Sequence, residues 1–244
     1  MTEFTISLAG IPICVRAIFA RTERFCSDYL SDETPCVCFS VTEEDLRCEQ
    51  IRADRTAREE GQTPRIWDAE YLEQLALYRK IAEDFLERGV LLFHGSAIAV
   101  DGEVYLFTAH SGVGKSTHAR LWRQAFGDRA FMVNDDKPLL RISESGILVC
   151  GTPWDGKHHL SRNTMLPLRA VGVITRGTEN RVEELSLAEA YSLLLQQSYQ
   201  SNNAENMKRV LQYVHRITTG VPVRRVICNR DPEAAFVSYE GLRA

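Results

Sequence analysis

The sequence predicts a mixed α/β protein: a small β-rich unit at the N-terminus, then a larger region of strands and helices around one central sheet. At the start of the chain, short apolar runs at residues 4–8, 11–18 and 36–41 are separated by polar turns, which is typical of short strands. Further along, strand-like runs alternate with stretches of helical period. We therefore expect a β-rich unit over residues 1–64 and an α/β domain over residues 65–244.

The composition and charge are those of a globular protein with a buried core. Hydrophobic residues make up 44% of the 244 residues and charged residues 25%, so disorder is not expected. The net charge of −4 argues against a nucleic-acid or anionic-membrane surface, because such surfaces are usually basic. No apolar run is long enough for a transmembrane helix, and the N-terminal stretch, with Glu3 and no early Lys or Arg, is unlike a secretory signal. We expect a cytoplasmic protein with no nucleic-acid or membrane partner.

The cysteines are concentrated near the N-terminus. Of the seven in the chain, five fall within the first 48 residues: Cys14, Cys26, Cys36, Cys38 and Cys48. In a strand, the Cys36-Val-Cys38 spacing places both thiols on one side, which leaves a metal site open as an interpretation. No paired C-x-x-C or histidine cluster accompanies it, so the favoured interpretation is reduced, buried thiols of a cytosolic protein.

A highly charged segment precedes the clearest helix. Residues 42–64 carry many acidic and basic side chains and end in Gly61 and Pro64, which favours a linker or a mobile excursion. Residues 68–88 then have a helical period, and Gly89 provides a C-terminal stop. The apolar positions of this helix are Tyr71, Leu75, Tyr78, Ala82 and Phe85.

A β-hairpin leads to the central motif. Residues 91–93 and 96–100 are predicted as a strand pair, and Asp101-Gly102 joins the second of these to residues 103–108. An Asp-Gly pair between apolar runs indicates a hairpin, because both turn positions need positive φ. Ser186 and Glu189 have capping-box spacing. The remaining predicted elements are helices over residues 115–126, 186–199 and 204–217 and after Asp231, and strands over residues 130–133, 170–174 and 221–228.

A glycine-rich loop follows the hairpin. It matches the Walker A pattern G-x-x-x-x-G-K-[ST], except that Ala109 replaces the first glycine. The loop lies between a predicted strand and a predicted helix, as a phosphate-binding loop requires. The residues predicted to bind the nucleotide are Ala109, His110, Ser111, Gly112, Val113, Gly114, Lys115, Ser116 and Thr117.

The chemistry of these residues suits a nucleoside triphosphate. Gly112 and Gly114 let successive backbone N–H groups turn toward phosphate oxygens, and the helix that begins near Lys115 adds the positive end of its dipole. Lys115 supplies a charge to the β- and γ-phosphates, and Ser116 offers a hydroxyl to Mg²⁺. The sequence therefore predicts ATP and Mg²⁺ as ligands.

Acidic and histidine residues provide the candidate catalytic groups. Asp135 and Asp136 follow the strand at residues 130–133, where α/β sheets bind their ligands. One of the two is predicted to face Mg²⁺ and the other the hydroxyl of an acceptor, although Asn and Asp here also suit a plain turn. His94 precedes a glycine beside the hairpin, so a catalytic and a structural role both remain open.

The polar segment at residues 151–163 is predicted to be an active-site loop, with a plain surface loop as the alternative. It contains Asp155, a candidate metal ligand, and Lys157 and Arg162, candidates for stabilising charge on the transferring phosphoryl group. His158 and His159 are adjacent, but no acidic or cysteine partner stands at a useful spacing to make them a metal pair.

Three of these motifs, in their order along the chain, resemble those of the catalytic domain of HPr kinase/phosphorylase and, more broadly, of the phosphoenolpyruvate carboxykinase-like group of P-loop kinases. The family loop G-x-S-G-x-G-K-[ST] is similar to residues 111–116, its His-Gly to His94-Gly95, and its Asp-Asp to Asp135-Asp136. The resemblance covers roughly residues 90–180. It implies a mixed-sheet P-loop kinase core in which Asp136 accepts the proton of a serine hydroxyl.

The resemblance is closest to the small HPr-kinase-related proteins of peptide-modification gene clusters, the ScmC-like group. The E-I-R-G metal and catalytic loop of true HPr kinases is missing, and residues 151–157 stand where it would fall. Together with residues 161–163, this stretch looks more like the ScmC-like proteins. The first 64 residues do not resemble the N-terminal domain of true HPr kinases, so HPr is not implied as the acceptor.

The expected activity is therefore that of an ATP- and Mg²⁺-dependent kinase. Asp136 is the expected base, Asp135 assists the metal, and His94 lines the acceptor side. The acceptor is expected to be a hydroxyl of a serine in a peptide or protein, or of a small molecule. Two alternatives remain: a non-catalytic nucleotide-binding partner in a peptide-modification pathway, and a carboxykinase-type lyase. The sequence specifies neither the acceptor nor the ligand that replaces the E-I-R-G loop, and it leaves homo-oligomer assembly open.

Overall fold

The computed structural model describes residues 1–59, 61–110 and 112–244. Within these residues the chain separates into two compact units, Met1–Asp84 and Phe85–Ala244, which are described in turn. None of the helices in the described residues is both long and apolar enough to cross a membrane.

The N-terminal unit contains a three-stranded sheet in the order β1-β2-β3. β1 and β2 form an antiparallel hairpin through Ala9 and Gly10, both of which have positive φ, and β3 runs parallel to β2. The three predicted strands are present, but the unit is not β-rich, because its helices contain more residues than its strands. The elements of this unit are β1 (Thr2–Leu8), β2 (Ile11–Ala17), α1 (Ala20–Phe25), β3 (Val37–Ser40), α2 (Glu43–Glu59) and α3 (Ala69–Phe85), the last residue of which belongs to the second unit.

The prediction of a linker over residues 42–64 was wrong, because α2 occupies most of it. Thr42 begins this helix: its hydroxyl accepts a hydrogen bond from the Asp45 N–H, and the Asp45 carboxylate accepts one from the Thr42 N–H in return. Acidic residues fill the first turn and Arg58 the last, which matches the helix dipole. A dense run of charges suits a solvated linker, but many of these charged residues are also strong helix formers. Glu60 lies outside the described residues.

α3 belongs to the N-terminal unit, so the boundary falls after Asp84 rather than after residue 64. Polar contacts hold the helix there. The buried carboxylate of Glu73 accepts hydrogen bonds from the backbone N–H groups of Ile18 and Phe19, at the start of α1. The predicted helix at residues 68–88 is confirmed, but it packs within the first unit.

The C-terminal unit is built on a nine-stranded mixed sheet. Its strands are β4 (Val90–Leu92), β5 (Ser96–Val100), β6 (Glu103–Thr108), β7 (Ala130–Asn134), β8 (Leu139–Ser143), β9 (Gly146–Cys150), β10 (Met165–Arg176), β11 (Arg181–Glu184) and β12 (Val223–Cys228). The main path runs β4-β8-β9-β10-β6-β5-β7, and β12 joins β10 to β11. β10 is the central strand: its beginning pairs antiparallel with β9, and the rest pairs parallel with both β6 and β12. The predicted mixed α/β class is confirmed.

Helices cover both faces of this sheet. They are α4 (Lys115–Phe126), α5 (Leu187–Gln197), α6 (Ala204–Gly220) and α7 (Glu233–Arg243). Successive residues of β6 enter different cores: Leu106 packs in the cluster that contains residues of α5 and α6, whereas Tyr105 and Phe107 pack in the cluster of α4 and α7. Because side chains alternate across a strand, these cores lie on opposite faces.

The hairpin and cap predictions are confirmed, and one strand pairing is corrected. Asp101 and Gly102 both have positive φ, and Ser186 and Glu189 form a capping box at the start of α5. Residues 91–93 do not pair with residues 96–100. Instead β4 pairs antiparallel with β8, and the Phe93 N–H donates a hydrogen bond to the Pro138 carbonyl.

The cysteines of the first unit are only partly buried, contrary to the prediction. Cys36 and Cys38 are both exposed, whereas Cys14, the cross-strand neighbour of Cys38, is buried. Burial raises the pKa of Cys14 to about 11, and the hydrogen bond with Cys38 adds to this. Cys14 and Cys38 therefore lie on the same face of the sheet, where Cys14 is buried and the C-x-C residues are exposed.

We predict that Glu49→Gln destabilises the chain at pH 7 by about 2 kcal/mol, because charge-assisted hydrogen bonds to a buried carboxylate are lost. The Glu49 side chain is 4% exposed, and its Oε1 lies 2.7 Å from Arg79 Nε. Burial raises the pKa of Glu49, but the bonds from Arg79 and Arg52 outweigh it and hold that pKa below its usual value. This stability is present above the unfolded pKa and is lost as the pH falls through the folded one.

Urea unfolding at pH 7 and at pH 3 measures the effect, and Glu44→Gln is the matched control. Glu44 and Arg47 form an ion pair with the same i,i+3 spacing on the same helix, but their side chains are 70% and 67% exposed. The control is expected to change the urea midpoint little at either pH. An equal cost for both variants, or a Glu49→Gln cost that persists at pH 3, would contradict the assignment.

Candidate functional site

The glycine-rich loop connects the end of β6 to α4, with Gly112 and Gly114 in conformations that other residues rarely adopt. Their φ angles are 76° and 132°, and a Cβ at either position would meet nothing within 4 Å. Glycine is therefore needed here for backbone freedom rather than for space. Gly114 precedes α4, and among the described residues no side chain caps that helix end. Its first N–H groups therefore have no side-chain acceptor among the residues that the structure describes, which is the arrangement that an anion-binding helix start has. Ser111 lies outside the described residues.

Lys115 is buried against its own loop and close to two carboxylates. Its Nζ donates a hydrogen bond to the carbonyl of Ala109 over 3.0 Å, and the residue is 9% exposed. Burial lowers the pKa of Lys115, while the negative charges of Asp136 and Asp135 act in the opposite direction. The structure thus brings together the predicted lysine and the predicted acid pair.

Asp135 lies at the end of β7, bonded to hydroxyl groups from two other segments. Ser96 Oγ donates to Asp135 Oδ1 over 2.6 Å, and the Ser116 side chain also hydrogen-bonds to this carboxylate. Burial raises the pKa of Asp135, against the effect of these hydrogen bonds and of the nearby His158. Sequence reasoning missed Ser96, which reaches the site because β5 pairs with β7.

Asp136 faces His94. Its Oδ1 lies 3.4 Å from His94 Nε2, and its carbonyl accepts a hydrogen bond from the Gly95 N–H. Burial pushes the pKa of Asp136 upward, but the His94 hydrogen bond and the positive charges of Lys137 and Lys115 outweigh burial and lower it. Asp136 is therefore ionised at neutral pH.

Gln197, the last residue of α5, orients His94, and no sequence motif predicts this contact. His94 Nδ1 lies 3.2 Å from Gln197 Oε1, and the His94 N–H donates to the Gln197 carbonyl. The His94 carbonyl in turn accepts a hydrogen bond from Thr108. His94 is thus held on several sides at the edge of the acid pair.

Asn134 joins the acid turn to the loop at residues 151–163. Its Oδ1 accepts hydrogen bonds from the N–H groups of Asp136 and Lys137, and its Nδ2 donates to the carbonyl and hydroxyl of Thr152. Asn134 is fully buried. The segment that carries the acid pair is therefore also the Asn-stabilised turn that the sequence offered as an alternative.

The 151–163 loop lies against the acid pair, and Asp155 shapes it. Gly156 has a φ of 77°, and a Cβ there would lie 3.4 Å from Asp136 Cβ. Asp155 is buried and accepts hydrogen bonds from His159 Nδ1 and from the Ser161 N–H. Both of its oxygens are engaged by its own loop, so its role as a metal ligand stays a prediction.

Arg176 braces the glycine-rich loop, and sequence reasoning did not find it. This residue ends β10, and its guanidinium donates to the carbonyls of Val113, over 2.9 Å, and Gly112. The C=O and N–H of a peptide unit point in opposite directions. By binding these carbonyls, Arg176 therefore favours loop amides that point away from its guanidinium group. Arg176 lies far from the loop in the sequence and belongs to no motif, so the sequence alone does not predict this contact.

Cavities border the loop and contain other predicted residues. One of ≈ 580 Å³ is lined by His110 and Arg176, and another of ≈ 440 Å³ by Thr117 and Asn229. Arg162, a candidate for charge stabilisation, has its guanidinium 4.3 Å from the centre of the Phe131 ring.

The residues present fit Mg²⁺ held mainly by other ligands. Within the described chain, no group of three or more His, Cys, Asp or Glu side chains could enclose a metal ion. Ser116 and Asp135 together offer a hydroxyl and a carboxylate, which are hard oxygen donors. Mg²⁺ is commonly bound by one or two carboxylates, with waters and phosphate oxygens as its remaining ligands.

The comparisons with known proteins do not assign a family. No protein-family model matches the chain, and no curated protein sequence matches it. Among solved structures, the HPr(Ser) kinase/phosphatase from Coxiella burnetii aligns over 62% of this chain and 93% of its own, with 10% sequence identity and a TM-score of 0.36. A likeness of this strength identifies no function.

We predict that Gly151→Ala destabilises the chain by more than about 2 kcal/mol, since an added methyl group cannot be accommodated without moving backbone. A Cβ at Gly151 would lie 1.9 Å from the Arg162 carbonyl oxygen and 2.9 Å from that of Val133. Thermal unfolding measures the effect. Gly220→Ala is the control, because its Cβ would meet only the Ile147 side chain, at 3.8 Å. Equal melting temperatures for the Gly151→Ala variant and the wild type would contradict the described loop packing.

Proposed function

We propose that this protein is a kinase that transfers the γ-phosphoryl group of ATP to a hydroxyl group, with Mg²⁺ as cofactor. One observation carries the proposal: a buried lysine on a glycine-rich loop is electrostatically coupled to two adjacent carboxylates at the same edge of the sheet. Phosphoryl transfer requires a positively charged group that binds the phosphates and, close to it, carboxylates that bind the metal ion and accept the acceptor's proton.

The glycine-rich loop supplies the phosphate site. The uncapped N–H groups at the start of α4 and the turned amides around Gly112 and Gly114 would bind phosphate oxygens. Lys115, whose ammonium now bonds the Ala109 carbonyl, would exchange that contact for the β- and γ-phosphates. Arg176 would keep the loop in its binding shape from the opposite side.

Ser116 and Asp135 would hold the magnesium ion. When bound, Mg²⁺ neutralises negative charge on the transferring phosphate. Ser96 would orient Asp135 by its hydrogen bond, so that the carboxylate keeps one oxygen directed toward the Ser116 hydroxyl.

Asp136 would act as the base. The acceptor oxygen attacks the γ-phosphorus, the bond from that phosphorus to the bridging oxygen breaks, ADP leaves, and the acceptor proton passes to Asp136. The lowered pKa of Asp136 keeps it ionised and ready to accept this proton. His94, held by Gln197, would fix the carboxylate in place. The acceptor is proposed to be a serine hydroxyl of a peptide or protein, or a small molecule.

Asp136→Asn is expected to reduce transfer at least about a hundredfold while ATP binding is retained, because the amide cannot take the proton. Labelled ATP and cell extract first identify an acceptor, and the rate is then measured with that acceptor. Fluorescence titration with a labelled ATP analogue reports binding. Asp101→Asn, which alters an exposed pair with Arg129 in the hairpin, is the control. Transfer by Asp136→Asn at a near wild-type rate would refute the base assignment, and ATP binding without transfer by the wild type would favour a nucleotide-binding partner protein.

Arg176→Gln is expected to weaken ATP binding about tenfold, because a glutamine cannot span the two loop carbonyls that the guanidinium binds. The same fluorescence titration measures it. Arg181→Gln serves as control, since Arg181 forms an exposed pair with Glu183 on β11. An unchanged ATP affinity in Arg176→Gln would mean that the loop keeps its shape without this brace.

A further inference from the structure

A third cavity opens beside the proposed phosphate site. It has a volume of ≈ 290 Å³ and is lined by Ser116 and Asp135 at one end and by Arg120 and Arg123 along α4, with His158 and Leu160 from the loop at residues 151–163. The cavity therefore begins at the metal-binding pair and extends along the helix. Its volume is near the lower limit for small-molecule sites.

The two arginines lie on the same helix face as Ser116. They follow it at i+4 and i+7, positions that share one side of an α-helix. At 1.5 Å per residue, their Cα atoms stand about 6 Å and about 10 Å along the axis from Ser116. Long side chains on a helix lean toward its N-terminus, so we expect both guanidinium groups to extend toward the end of the cavity lined by Ser116 and Asp135.

Neither arginine has a partner in the described part of the chain. No hydrogen bond, ion pair or ring contact joins Arg120 or Arg123 to another described residue, whereas Arg129, just beyond the helix, pairs with Asp101. Like charges three residues apart on a helix repel one another. Two such cations beside a cavity are what an anionic ligand would neutralise, and the planar guanidinium suits phosphate or carboxylate.

We propose that Arg120 and Arg123 bind an anionic group, a phosphate or a carboxylate, on the acceptor whose hydroxyl receives the phosphoryl group. The inference rests on the kinase function proposed above and deepens it by naming the substrate class. The anion occupies the far end of the cavity, and the hydroxyl lies at the end lined by Ser116 and Asp135, where Asp136 is the next residue in the chain. An acceptor with no negative charge leaves the two arginines uncompensated and binds weakly.

Binding measured with the phosphate loop occupied tests this. The protein is saturated with Mg²⁺ and a non-hydrolysable ATP analogue, and the analogue titration itself reports whether the proposed nucleotide site exists. Two matched pairs of probes are then titrated calorimetrically: glycerol 3-phosphate against glycerol, and the peptide Ser-Glu-Glu against Ser-Gln-Gln. The pair that discriminates identifies a small phosphorylated molecule or an acidic peptide as the source of the anion.

The expected result is that one anionic probe binds at least tenfold more tightly than its neutral partner. Arg120→Gln/Arg123→Gln should abolish that preference without changing affinity for the ATP analogue. The double variant Arg181→Gln/Lys208→Gln, which removes two positive charges from exposed ion pairs elsewhere on the unit, should retain it. The inference is overturned if no anionic probe is preferred, or if the preference survives in Arg120→Gln/Arg123→Gln. If the ATP analogue does not bind the wild-type protein at all, the kinase proposal itself is refuted.

Discussion

The side-chain amide of Asn134 is the contact on which the site depends. Fully buried at the end of β7, it binds two backbone N–H groups of the following turn and two oxygens of Thr152. A buried amide left without these partners would cost free energy. The hydrogen bonds of Asn134 therefore favour a structure in which the turn and the loop are ordered together. Asp135 and Asp136 are on the turn, and Gly156 and His158 are on the loop. Asn134 therefore helps to determine where the acid and loop groups meet, together with the hydrogen bond from the Thr152 hydroxyl to the Lys137 carbonyl.

The sheet then brings the glycine-rich loop to the same edge. β6 ends in that loop, and β5, its antiparallel neighbour, begins with Ser96 beside Asp135. β10 lies on the other side of β6 and ends in Arg176, which binds the loop carbonyls. Three neighbouring strands thus contribute the glycine-rich loop, the hydroxyl group that binds Asp135 and the arginine that binds the loop. The two hydrophobic cores pack against the faces of the sheet, so the candidate site residues lie at the ends of the strands.

Local patterns in the sequence predicted most elements, and contacts between distant segments account for what was missed. The hairpin at Asp101-Gly102 and the bounds of α4 follow from residues adjacent in sequence, as does the acid pair after β7. The charged run at residues 42–64 was misread because high charge suits both a linker and a helix with well-placed caps. Arg176 and Gln197 could not have been predicted, since only the assembled sheet and α5 bring them to the site.

The start of α4 has a thermodynamic consequence of its own. Its leading N–H groups have no cap from the described side chains, and Lys115 is withdrawn from water against a backbone carbonyl. Such an edge is incomplete by itself, and an anion would supply the missing acceptors. Binding of an anion to the loop would therefore raise the free energy of unfolding of the C-terminal unit, and this stabilisation would grow as the ligand concentration rises above its dissociation constant.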